Sequence, residues 1–265
     1  MYGLIKQFKR EFVYSSYLFL VLELLVTRQF VVNIYVYITT ALVGLLLISS
    51  WFVTSFGLFG RKRVSKKSRA VITVNLKYRV FTYVVMPVIL WVSLCLYLFF
   101  TQNVYITQTV IVASVALYFA FMLQVRSSLE KIYHVDTMTR FVYDFINIVV
   151  FFLLLSVLCR LGLDIYLMTG VVILFTLLSL HNTLYVHRKL EVESTLVALF
   201  ASAMVGLATW ATQGMNIYTQ PSLITLLYYL IVSLWNIRFS GARKLEDYIP
   251  PIMYTLMAVI LVLSL

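Results

Sequence analysis

Five side chains stand out in this sequence because amide and ionisable groups sit within otherwise apolar runs: Asp144, Asn147, His181, Asn182 and Asn236. Such groups are costly in an apolar segment and are therefore suspects for function. Asp144 and Asn147 are three residues apart, so a helix presents them on one face. His181, Asn182 and Asn236 fall at a similar depth on two later runs. Together they would line a polar pocket open to the cytoplasm, with Asp144 accepting a proton or a cation. A plainer reading pairs Asp144 with Arg140, four residues earlier, at headgroup level. The amides would then serve as hydrogen-bonding contacts between helices.

Other reactive groups form weaker constellations. Glu23 and Arg28 are five residues apart and make a candidate outer ion pair. Cys159 and Arg160, with His181 on the next run, have the residue types used by membrane transpeptidases of the exosortase type. Spacing opposes that comparison: His181 lies about 24 Å deeper along its helix than the outer end, beyond the hydrogen-bond reach a nucleophile and base require. His134, His181 and His187 lack metal-ligand spacing with carboxylates or thiols, so no metal is expected. No Asp-rich diphosphate motif, Gly-x-Ser-x-Gly elbow or phosphate loop occurs, and no cofactor is implied. Two cysteines without Cys-x-x-Cys spacing do not make a disulfide framework. An intramembrane enzyme acting on lipid would announce itself through a reactive Cys159 reachable from the outer side.

The elements that must position these groups are long apolar runs. Hydrophobic residues make up 62% of the chain and charged residues 12%, with a mean hydropathy of +0.96. Soluble domains have about 45–50% apolar and about 25% charged residues. A spanning helix needs about 20 apolar residues at 1.5 Å rise each. The runs are 12–27, 30–57, 80–101, 105–125, 141–160, 165–186, 194–212, 221–239 and 251–265. The last is short, and an earlier start or a tilted, half-depth position would account for it.

Charge orients these runs. All of the 21 Lys and Arg residues except Arg28 and Arg160 lie before the first run, in the gaps after the second, fourth, sixth and eighth, or, for Arg238, at the closing end of the eighth. The positive-inside rule places those gaps and the N-terminus in the cytoplasm and the C-terminus outside. The net charge of +11 is thereby explained without nucleic acid. Before the first run, Leu4, Ile5, Phe8 and Phe12 recur at helical spacing among Lys6, Lys9 and Arg10. Residues 1–11 thus read as an amphipathic lead-in on anionic inner-leaflet lipid. No small-residue cleavage site follows the first run, so an uncleaved helix is expected.

The largest gap, 61–79, opens with Arg61, Lys62, Arg63, Lys66, Lys67 and Arg69, a basic run suited to lipid phosphates. Ile72, Val74, Leu76 and Tyr78 then alternate with polar residues, which argues for a short strand without an obvious partner in the chain. Such a segment is interfacial, or an edge offered to another protein. Pro221 and Pro250-Pro251 mark helix starts, whereas Pro87 lies inside the third run and should kink it. Ser179-Leu180-His181-Asn182 and Ser233-Leu234-Trp235-Asn236, each followed by Arg-Lys-Leu-Glu, suggest a parallel hairpin repeat.

The expected fold is an all-α integral membrane protein. It is a single domain over 1–265, a bundle of about nine transmembrane segments arranged as four hairpins opening to the cytoplasm plus a short C-terminal helix. The expected role is a non-enzymatic subunit or scaffold of a membrane assembly, bound to the bilayer and to a membrane-protein partner or a second copy. The alternative is a small transporter or exporter of a hydrophobic or cationic solute, using the five-residue pocket. Few glycines and prolines, and sparse polar groups in the runs, favour the first reading.

Overall fold

The computed structural model describes the backbone of residues 2–27, 33–59, 63–64, 71–72, 76–130, 137–186, 192–239 and 244–264. Its side chains are described over 9–27, 33–55, 84–126, 142–184, 192, 194–238 and 244–264. Among the described residues the chain folds into nine α-helices: α1 Tyr2–Val26, α2 Ile34–Phe59, α3 Leu76–Phe100, α4 Val104–Glu130, α5 Thr137–Arg160, α6 Ile165–Val186, α7 Val192–Ala211, α8 Thr219–Phe239 and α9 Ile249–Ser264. Each apolar run thus becomes one helix. Seven stretches are long and apolar enough to cross a membrane: Ile34–Ser55, Val104–Arg126, Val142–Arg160, Ile165–Leu184, Ser194–Ala211, Thr219–Arg238 and Leu245–Ser264. That is the pattern of a multi-pass membrane protein.

The expectation of nine spans is therefore met by seven on length and apolarity. The helix α1 falls short because Lys9, Arg10, Glu11 and Glu23 interrupt its apolar surface. In α3, Leu76–Phe100, the side chains are described from Val84, and Val84–Phe100 is an apolar stretch. The last span gains length at its start, where a 3-10 turn over Leu245–Tyr248 leads directly into α9. The amphipathic lead-in and the first run are one continuous helix.

The gap after α2 holds a two-residue antiparallel ribbon, with Arg63 opposite Ile72 and Val64 opposite Val71. The alternating stretch therefore finds a strand partner within the same gap, at Val71-Ile72. From Leu76 onward the backbone is helical, since the apolar run of α3 draws those residues into its first turn. Pro87 sits inside an unbroken α3, and its carbonyl accepts a hydrogen bond from Tyr118 Oη on α4 at 2.8 Å.

The chain divides into two compact units, Met1–Ile146 and Asn147–Leu265. In the first, α1 buries Glu11, Ser15, Leu18, Leu22 and Leu25, a stripe at spacings of four and three that faces α2 and α4. Trp91 of α3 packs against α2 where Gly44 leaves room, and its Nε1 donates to Ala41 O at 2.8 Å. In the second unit the core is built from Phe151, Leu155, Val172, Leu180, Leu184, Val205, Tyr228 and their neighbours. The helices α6 and α7 approach closely at Gly206, where an added Cβ would lie 2.4 Å from Ile173 Cγ1. Small residues at such contacts let helix backbones approach where lipid supplies no hydrophobic drive.

Candidate functional site

Among the described residues, two polar knots and one apolar crevice are features that chemistry can act on. The knot in the second unit is centred on Asn147, which is buried. Its Nδ2 donates to Tyr228 Oη at 2.7 Å and to Thr183 Oγ1 at 3.0 Å, with Ser179 O at 3.3 Å. An amide has two protons, so the two shorter bonds use its donor capacity. One turn further along α5, the Phe151 ring stacks on Tyr228 at 4.2 Å and on Phe175 at 5.3 Å. Asn147 and Phe151 thus grip both the hydroxyl and the ring of one tyrosine.

The five residues of the expected pocket occupy different environments. Asn147 faces the core of the second unit. His181 is exposed, and Asn182 and Asn236 are half-buried. His181 and Asn182 lie two and three positions beyond Ser179, so a helix turns His181 away from the Ser179–Thr183 face that meets Asn147. Asp144 is buried at the end of the first unit, and Arg140, offered as its partner, lies outside the residues whose side chains are described. The Ser-Leu-x-Asn pair also differs in setting, because His181 is exposed whereas Trp235 packs against the core.

A second knot lies towards the N-terminal end of α1, at a carboxylate that the sequence does not single out. Glu11 is fully buried. Arg126 Nη1 of α4 donates to its Oε2 at 3.0 Å, and Arg10 Nη2 stands 3.7 Å from Oε1. Arg10 in turn donates to Ser55 Oγ of α2 and lies over the Trp51 ring, 5.5 Å from its centroid. The signal that was available is the helical spacing of Glu11 with Ser15, Leu18, Leu22 and Leu25. It puts the carboxylate on the apolar stripe rather than among the lysines beside it.

Towards the other end of α1, Glu23 Oε2 accepts from Gln108 Nε2 of α4 at 3.2 Å. Arg28 and the lipid-phosphate candidates Arg61, Lys62, Lys66, Lys67 and Arg69 lie outside the described residues, and Arg63 is described only as backbone of the ribbon. Cys159 Sγ donates to Gln220 Oε1 at 3.7 Å, and Arg160 lies over the Tyr218 ring at 5.5 Å. Among the described residues no cluster of three His, Cys, Asp or Glu side chains could hold a metal ion.

The crevice lies between α2 and α3, a cavity of about 380 Å3 along Ile34–Leu45 and Trp91–Phe100. Its wall is apolar because its polar atoms are spent internally. Tyr37 Oη donates to Cys95 O at 2.5 Å and Trp91 Nε1 to Ala41 O.

One further pattern emerges at the connections joining each odd-numbered helix to the next even one. Asn33-Ile34-Tyr35, Asn103-Val104-Tyr105, Asp164-Ile165-Tyr166 and Asn216-Ile217-Tyr218 recur there. In each, the Asx side chain accepts from the tyrosine backbone N–H, at 3.1, 3.0, 3.0 and 3.3 Å. No family model, curated protein or solved structure matches the chain.

Proposed function

We propose that this protein is a non-enzymatic subunit or scaffold of a membrane assembly, seated in the cell membrane with its N-terminus in the cytoplasm and its C-terminus outside. The observation that carries this reading is how its intramembrane polar groups are used. Asn147 spends its amide protons on Tyr228 and Thr183, Glu11 is held by Arg126, and Glu23 is bonded by Gln108. These contacts join helices, which is what packing requires and a translocation path does not. The helices are also unbroken, α3 included. Basic gaps such as Arg61–Arg69 suit anionic inner-leaflet lipid and leave the apolar helix faces for a membrane partner or a second copy. Extraction of tagged protein in native lipid particles, followed by mass determination, tests the proposal. A companion at fixed stoichiometry supports it, and a bare monomer overturns it.

A second reading, a small transporter of a cationic or hydrophobic solute, is favoured by one observation, the burial of Asp144 in α5. On that reading Asp144→Asn abolishes uptake or export at normal expression. Full activity in that variant would sink it.

A further inference from the structure

We infer that the knot around Glu11 encloses a binding site for one ordered water molecule, held between α1 and α2. Four polar atoms here are shut off from solvent and have no hydrogen-bond partner among the described residues: Arg10 Nε, Glu11 Oε1, Ser15 Oγ and Trp51 Nε1. Glu11 and Trp51 are fully buried, and Ser15 nearly so. The fold gathers these atoms. Glu11 and Ser15 are four residues apart on α1, one above the other on a single face. The helices α1 and α2 are packed neighbours joined by residues 27–33 alone, and so run antiparallel. Arg10 fixes their register by donating to Ser55 Oγ and lying over the Trp51 ring. One turn forward on α1 from Glu11 and one turn back on α2 from Ser55 therefore bring Ser15 and Trp51 to the same level.

Hydrogen-bonding capacity selects the occupant. Arg10 Nε and Trp51 Nε1 only donate, the Glu11 carboxylate oxygen only accepts, and the Ser15 hydroxyl does either. The ligand must accept from two N–H groups and donate to a carboxylate at once. An anion cannot donate, and it would face Glu11. A metal ion or an ammonium group cannot accept, and it would face Arg10 and Arg126, which stand 3.7 and 3.0 Å from that carboxylate. A sugar or lipid hydroxyl carries a body that needs an opening, and none of the four atoms reaches solvent. Water accepts two protons and donates two, and a buried water makes about three hydrogen bonds. Without it each of these groups carries its desolvation cost uncompensated. The Ser55 hydroxyl is outside the set, since it accepts from Arg10 and donates to Trp51 O at 2.7 Å. Through the water Glu11 is tied to α2, as Arg126 ties it to α4. The inference holds for a scaffold and a transporter alike.

The test is radiolytic footprinting of the full-length protein in lipid nanodiscs. An X-ray pulse turns water into hydroxyl radicals where it lies, and mass spectrometry finds the residues oxidised. Trp51 and Trp91 form a matched pair, because both are buried but Trp91 Nε1 already donates to Ala41 O. Oxidation of Trp51 should rise from the shortest exposures while that of Trp91 stays at background. Ser15→Leu places a side chain in the site and should bring Trp51 down to the Trp91 level; Ser15→Val serves if that variant fails to fold. Trp51 at background in the unaltered protein would overturn the inference and mean that the four atoms bond one another directly. Equal oxidation of both tryptophans would also overturn it. So would Trp51 oxidation that persists in either folded variant, because the radicals then come from elsewhere.

Discussion

Glu11 is the most consequential single residue of the first unit, because a fully buried carboxylate is tolerated only while it is paired. Arg126 is its nearest partner at 3.0 Å, and Arg10 is the second at 3.7 Å. Arg126→Ala should therefore destabilise the protein by about 2–3 kcal/mol, below the upper range for breaking a buried pair because Arg10 remains. Adding Glu11→Met should recover most of that loss in thermal unfolding in detergent; a double variant no more stable than Arg126→Ala would mean the carboxylate is not its source. Gly44 is constrained differently. A methyl group there would lie 1.9 Å from Trp91 Cζ2, and that ring is held by Ala41 O. Gly44→Ala should cost about 1–3 kcal/mol through overpacking, and Trp91→Phe in the same chain should restore part of it. Asn147 was legible in the sequence, since an amide in an apolar run invites a partner. Glu11 was not, because it follows Lys9 and Arg10 and reads as one more charge at a membrane surface.

At the scale of elements, the helices were legible almost end for end, because each apolar run is long and bounded by charge or turn residues. The 61–79 gap was not. Alternation pointed to a strand at Ile72 but could not say that its partner would be Arg63-Val64, or that the helix would begin by Leu76. The recurring Asx-aliphatic-tyrosine turn was written in the sequence four times, and its meaning depends on seeing all four side chains cap a helix. In the second unit the motif extends to Gly-x-Asx-Ile-Tyr, where Gly162 and Gly214 adopt positive φ values of 61° and 86°. Only glycine adopts that conformation at little cost. Tyr35, Tyr105 and Tyr166 are all more than three-quarters exposed, as aromatic anchors at a membrane interface are. Asn103→Ala should lower stability by about 1 kcal/mol, whereas Asn103→Asp, which keeps the accepting oxygen, should lower it by much less. Equal losses in the two variants, measured by thermal unfolding in detergent, would remove the cap from the account.

For the whole molecule the open quantity is the number of crossings, and the contacts of α1 and α3 bear on it more than their hydropathy does. Seven stretches qualify on apolarity, and α1 fails because of charges that α4 compensates. Glu23 meets Gln108 at one end of the α1–α4 contact and Glu11 meets Arg126 at the other, 18 residues or about 27 Å apart along α4. A helix paired over that length with a membrane-spanning neighbour shares its depth. The same holds for α3, whose Cys95 and Trp91 carry bonds to Tyr37 and Ala41 of α2 and whose Pro87 carbonyl is bonded by Tyr118 of α4. Both helices are therefore expected to cross, making nine. Reporters at the termini cannot separate nine crossings from seven, because either odd number puts the ends on opposite sides. A reporter inserted between α2 and α3 can: it lies on the N-terminal side after two crossings, and on the opposite side if α1 and α3 lie flat. The expected result is a cytoplasmic reporter in that gap, with the N-terminal reporter cytoplasmic and the C-terminal one outside, in line with the basic residues clustered there. An outer position for the inserted reporter would reduce the count to seven and leave Glu11 and Arg126 paired along the membrane surface instead of across its depth.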